Sequence, residues 1–193
     1  MMGWSSYKIQ TAAASDPVTV SELKTHGRID DSNEDTLLGH YITAATELAQ
    51  QYQSRQYVNA TYDVTFDHFE NPMRLPFAPL GSVTSITYID QDGNSQTLGA
   101  SNYTVLTSSV PGRIVAAYNI LFPTTRGQED AVTVRYVAGY GATGASVPQR
   151  IKTAILMLAL DMYERREAHL EKGVEANPAA MSLLAIDRVH YSQ

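Results

Sequence analysis

The hydrophobic period of this chain changes twice. Apolar residues recur at steps of three and four near both ends, and at every second position between them. A 3.6-residue period lays one face of a helix against a core, a period of two lays one face of a strand there, and neither pattern serves the other element. The chain is therefore read as α+β: a helical bundle of N-terminal and C-terminal helices, with an inserted small, mostly antiparallel β unit.

Helical spacing covers residues 17–56. Val18-Thr19-Val20-Ser21-Glu22-Leu23-Lys24 is a short segment opened by Pro17, with Asp16 placed to cap it. The acidic link Asp30-Asp31-Ser32-Asn33-Glu34-Asp35 leads into a longer helix lined by Leu38, Tyr41, Ile42, Ala45, Leu48, Ala49 and Tyr52. Ser32 as N-cap, with Asp35 three residues on, forms a weak capping box. Period two takes over in 60–140. Tyr62, Val64 and Phe66 alternate with Asp63, Thr65 and Asp67; Thr84, Ile86 and Tyr88 with Ser85, Thr87 and Ile89; Val132, Val134 and Tyr136 with Thr133, Arg135 and Val137. Residues 103–106 and 113–116 add two shorter strands, and Asp92-Gly93 signals a hairpin turn. Helical spacing returns in 148–193. Ile151, Ala154, Ile155, Leu158 and Met162 form a stripe that Leu156, Leu160 and Tyr163 widen. Gly173 is a suitable stop, and Asn177-Pro178 opens a last short helix over 178–190. The expected organisation is an N-terminal arm (1–16), a main domain (17–172) and a C-terminal helix or tail (173–193).

Several function classes fall away. With no cysteine among 193 residues, disulfide scaffolds, Cys-ligated metals and thiol nucleophiles are excluded. A hydrophobic share of 44% with 18% charged residues indicates a folded chain. The net charge of −6, with scattered bases, opposes phosphate gripping. The N-terminal residues lack the apolar run of a signal peptide, and no run of about 18 apolar residues offers a membrane span. A soluble protein made in a cytoplasm is expected.

Gly139-Tyr140-Gly141-Ala142-Thr143-Gly144 matches G-x-G-x-x-G after a strand and before a helix. A dinucleotide site needs the helix to begin within those glycines, with an acidic strand end about 20 residues on. Pro148 starts the helix later, and Asp161 lies inside it, so the run reads as a connection. The acidic run 30–35 and Asp90-Gln91-Asp92-Gly93-Asn94 both lack the Gly and Glu positions of a calcium loop. The five histidines never pair at helical spacing, and no metalloprotease, serine-hydrolase or P-loop motif occurs. Neither a catalytic residue nor a metal or cofactor is expected. Twelve tyrosines suit either strand positions or subunit interfaces. Glu164-Arg165-Arg166-Glu167 reads as a solvated helix end, or as charges registering neighbours in an oligomer, which makes Tyr163, Glu164, Arg165 and Arg166 subunit-interface candidates.

Over residues 16–172 the chain resembles the head–tail connector (adaptor) proteins of long-tailed phages and gene transfer agents. The runs that carry the likeness are Pro17–Lys24, Gly27-Arg28-Ile29-Asp30, Leu37-Leu38, Ala44-Ala45 and Tyr52-Gln53-Ser54-Arg55, where relatives carry Y-T-G-R. They continue with Leu75-Pro76-Phe77-Ala78-Pro79-Leu80, Val83–Asp90, Pro111-Gly112-Arg113-Ile114, Phe122-Pro123 and Val132–Gly141. Val147-Pro148, Ile151, Ala154 and Tyr163-Glu164-Arg165-Arg166-Glu167 close the series, the last replacing the commoner Y-E-N-R-E.

The resemblance implies a structural virion protein without an active site. Copies form a homo-oligomeric ring, usually twelvefold, beneath the portal vertex of the head. The next neck protein and the tail dock on that ring, which helps retain packaged DNA. The implied place is the virion neck, after assembly in the host cytoplasm. The C-terminal segment is implied to reach the portal protein, with Leu183, Leu184, Ile186 and Tyr191 as contacts. DNA crossing such a channel should pass without specific binding, and acidic residues on the wall would repel it. Asp30, Asp31, Glu34, Asp35, Asp63 and Asp67 are the candidates. Rival readings are a stopper or tail terminator, a β-domain binding module, and a nucleotide-dependent enzyme using 139–144.

Overall fold

The computed structural model describes residues 3–165 and 177–190. In chain order the strands are β1 (Ser6–Thr11), β2 (Ala60–Phe66), β3 (Met73–Arg74), β4 (Leu80–Ile89), β5 (Ser95–Thr97), β6 (Tyr103–Leu106), β7 (Arg113–Ala116) and β8 (Val132–Ala138). The α-helices are α1 (Val20–Gly27), α2 (Asp35–Gln53), α3 (Gln149–Glu164) and α4 (Pro178–Ala185). All strand pairs are antiparallel. A five-stranded sheet has the order β1-β2-β8-β4-β5, and a three-stranded one the order β3-β7-β6. The architecture is mixed α+β.

Two apolar cores follow from the two periods. Leu23, Leu38, Ile42, Ala45, Ala49, Ile151, Ala154, Ile155 and Leu158 are buried among the helices, with Ala180 and Leu184 from α4. Tyr62, Val64, Phe66, Ile86, Ile114, Val132, Val134 and Tyr136 are buried in the β unit, where β2 and β8 alternate between buried and partly exposed positions. α3 buries Ile151, Ala154, Ile155, Leu156, Leu158 and Ala159, so it is apolar over most of its circumference, as its widened stripe indicates. β4 departs from strict alternation. Register shifts between Leu80 and Ser82 and between Val83 and Ser85 leave Thr84 exposed while Val83 packs on the core.

Several local expectations need correction. Asp16 does not cap α1. Thr19 does, in a capping box: its Oγ1 accepts the Glu22 amide at 3.2 Å and the Glu22 carboxylate accepts the Thr19 amide at 2.7 Å. Asp16 instead accepts the Thr43 hydroxyl at 2.8 Å. Ser32 does not cap α2, which starts at Asp35 with Glu34 as N-cap and no side-chain bond. The last helix is shorter than 178–190, ending at Ala185, with the Asn177 side chain accepting the amides of Ala179 and Ala180. Gly173 lies outside the described residues.

A strand within residues 1–16 was not anticipated. β1 pairs with β2 from Ser6↔Thr65 to Thr11↔Thr61 and forms one edge of the larger sheet. Its Tyr7 and Ile9 alternate with Ser6, Lys8 and Gln10, a pattern legible in the sequence but too short to stand out beside the longer strands.

Candidate assembly surfaces

The glycine run after β8 is shaped by packing. A Cβ on Gly139, whose φ is +139°, would sit 2.7 Å from the Asn59 backbone nitrogen, and one on Gly144 would sit 2.3 Å from the Pro17 carbonyl oxygen. α3 begins at Gln149, beyond those glycines, so its N-terminal amides do not cradle a ligand held by them. Close approach of backbone to backbone accounts for the pattern.

The segment 177–190 is held by the chain's own helices. Gln53 at the end of α2 is fully buried; its side-chain amide donates to the Leu184 carbonyl at 2.6 Å and its Oε1 accepts the Tyr57 hydroxyl at 2.9 Å. The Gln53 carbonyl accepts the Val189 amide at 2.9 Å. Arg55 Nε donates to the Asp187 carbonyl at 2.6 Å, Arg150 pairs with the Asp187 carboxylate, and Arg188 stacks 4.6 Å from the Tyr52 ring centroid. Of the portal-contact candidates, Leu184 is completely buried in the helical core, Leu183 is partly buried against it, and Ile186 is 68% exposed. Tyr191 lies outside the described residues.

Among the ring-interface candidates, Tyr163 donates its hydroxyl to Glu34 Oε2 at 2.6 Å and meets the Tyr41 ring edge-on at 6.4 Å. Glu164 is exposed, and Arg165 pairs with Asp161 one turn earlier at 3.1 Å. Arg166 lies outside the described residues. Tyr163 and Glu34, assigned to different surfaces by sequence, are thus brought together.

The acidic candidates do not form one cluster. Asp30, Asp31, Glu34 and Asp35 border the α1–α2 link. Asp30 is exposed, Asp31 accepts the Asn33 amide at 3.1 Å, and Asp35 pairs with Lys24 at 2.9 Å. Asp63 on β2 is held by Arg135 of β8 through Nε at 2.7 Å and Nη2 at 2.6 Å, with Gln10 of β1 donating at 2.6 Å. The Arg135 guanidinium, through these bonds, keeps the Asp63 carboxyl below its usual range despite partial burial. Asp67, beyond the end of β2, accepts the Ser5 hydroxyl at 2.7 Å and the Asp130 amide at 3.0 Å, which lower its pKa. His26, His40, His68 and His190 are exposed. Among the described residues no group of three His, Asp or Glu gathers as a metal site, and no helix is long and apolar enough to cross a membrane.

Sequence reasoning missed one surface. The connection between β7 and β8 exposes Tyr118 and Leu121 at 92% each and Ile120 at 40%. The run Tyr118-Asn119-Ile120-Leu121-Phe122 is apolar without a strand or helix period, which was its only signal.

These features define a mixed α+β protein whose described surfaces carry a strapped C-terminal segment, ion-paired carboxylates and an exposed apolar loop. The head completion protein family model matches residues 17–176, and the chain belongs to that family. A head completion protein is a structural component of a virion, not an enzyme. No curated protein matches the chain. Solved chains that share its fold include three for which each alignment covers 98% of both chains. One is from the virion of a native gene transfer agent particle (21% identity, TM-score 0.81). Another is from the neck of an empty gene transfer agent particle computed with C6 symmetry (21%, 0.80). A third is from the neck of the native particle computed with C12 symmetry (22%, 0.78).

Proposed function

We propose that this chain is a neck adaptor: copies close head to tail into a ring of twelve beneath the portal vertex, join the portal to the next neck protein and the tail, and help retain packaged DNA. The observation that carries this reading is the family match over 17–176, supported by a fold shared along 98% of each chain with neck components of gene transfer agent particles. The working place is the virion neck, reached after assembly in the host cytoplasm.

Residues 17–172 form the adaptor domain in this reading, a bundle of helices carrying the β unit, and 173–193 reach the portal. Ile186, exposed beside partly buried Leu183, is the residue best placed for that contact; Leu184 joins it when the strap lifts from the helices. Asp30 and Asp31 are exposed and, among the described residues, stand outside the salt bridges that hold Asp35 and Asp63, so in this reading they contribute repelling charge to the lumen wall. A ring map with both facing outward would remove that role.

Light scattering after size exclusion, with the purified chain alone and then mixed with its portal, tests the reading. A ring formed alone, or a 21.2 kDa monomer that joins the portal as a ring, is the expected result. A monomer indifferent to the portal would overturn it.

A further inference from the structure

Two unlike apolar patches sit at separate places on the β unit. The first is on β1, an outer strand of the five-stranded sheet that, among the described residues, pairs with β2 alone. Tyr7 and Ile9 are 50% and 51% exposed, and the Tyr7 ring meets Trp4, Tyr62 and Phe77 edge-on at 6.0, 6.4 and 4.8 Å. The patch is thus a half-open aromatic ridge on a rigid base, beside a backbone edge open to further pairing.

The second patch is the loop carrying Tyr118 and Leu121. Phe122 stacks on Phe69 at 4.9 Å, Phe69 meets Tyr88 of β4, and the Arg126 amide donates to the Ile89 carbonyl at 3.0 Å. These contacts hang the loop on β4, three strands from β1 in the sheet order, or about 14 Å at the usual spacing. The neighbouring Tyr118 and Leu121 project outward, each 92% exposed. A tyrosine exposed to this extent offers roughly 200 Å² of contact surface.

We propose that the loop of one copy docks on β1 of the next, seating Tyr118 and Leu121 against the ridge of Tyr7 and Ile9. The inference rests on the ring reading above and names the contact that would close the ring. Head-to-tail rings require two different patches on each copy, at separated positions, which is the arrangement here. An interface of about 800 Å² per partner draws most of its energy from a few central aromatic and apolar anchors, and Tyr118 and Leu121 have that character.

The absence of cysteine makes the test clean. Ile9→Cys and Leu121→Cys proteins are prepared separately, then mixed under ring-forming conditions, alone or on the portal, and oxidised. The expected result is a disulfide-linked dimer in the mixture, well above either variant by itself, and a ladder of linked subunits for the double variant. A ring by light scattering with no such link in the mixture would overturn the docking and leave the ring reading standing. No ring under either condition, also with the unsubstituted chain, would overturn both. As a second readout, Tyr118→Ser/Leu121→Ser should weaken subunit association at least tenfold with an unchanged thermal melt, since neither side chain packs in a core. Association within twofold of the parent would overturn the proposal.

Discussion

At Ser54 the backbone takes φ 55° and ψ 43°, the left-handed conformation that closes α2 and returns the Ser54 amide to the carbonyls of Gln50 and Gln51. An L side chain there is strained by about 1 kcal/mol relative to glycine. Ser54→Gly should stabilise the chain by about 0.5–1 kcal/mol, raising the melting temperature by roughly 1–4 °C in a calorimetric scan. One residue earlier the sign reverses. Gln53→Leu would leave the buried Leu184 carbonyl and Tyr57 hydroxyl without their partner, a loss of about 2–4 kcal/mol by urea titration. Hydrogen exchange in 177–190 should accelerate more than in β8.

At the scale of elements, the joints between helices and sheets rely on close backbone approach. Gly144 lies against the carbonyl of Pro17, just ahead of α1, and a backbone atom cannot swing aside as a flexible side chain would. Gly144→Ala should therefore destabilise by roughly 1–3 kcal/mol, measured by thermal melting. Were the glycine run a nucleotide site, the same variant would abolish nucleotide binding; isothermal titration with ATP and NAD should instead show no heat for parent or variant. The α1 capping box predicts about 1 kcal/mol lost in Thr19→Ala, with less helical circular dichroism at intermediate urea.

For the whole molecule, stability should fall at both ends of the pH scale. Asp63 and Glu22 have lowered pKa values, chiefly through hydrogen bonds from Arg135 and Lys152 respectively. A carboxylate with a depressed folded pKa stabilises fully above its unfolded value, near pH 4, and that contribution disappears as pH falls further. Each pair is partly solvated, so water screens it and its contribution is small. Burial pushes the Tyr57 and Tyr62 phenols up, Tyr62 to about 12. Their contribution is complete below the unfolded value of about 10 and declines as pH rises through it, because the unfolded chain releases those protons first. Urea midpoints should hold a plateau between about pH 5 and 9 and drop on either side. Asp63→Asn should lower the plateau and reduce the acid slope; an unchanged slope would contradict the assigned pair.

Periodicity made most of the elements legible because it reports which face of a segment meets apolar neighbours, a local property of a few turns or residues. The alternation in β2 and β8, the broad stripe of α3 and the Asp92-Gly93 turn could all be read that way, and the ordered runs from Pro17 to Glu167 pointed to the adaptors. Long-range partners were not legible. Asp63 looks like any exposed strand acid until β8 brings Arg135 beside it, and Gln53 looks like a solvated helix residue until the strap lays Leu184 over it. Nothing local separates Leu184, wholly buried, from Ile186, 68% exposed, and only an apolar run without a period marks Tyr118 as bare among so many tyrosines. Sequence by itself determined the kinds and order of the longer elements and the family resemblance. The tertiary structure decided which charges are neutralised and which apolar residues remain outside, because those depend on chain closure between residues far apart in sequence.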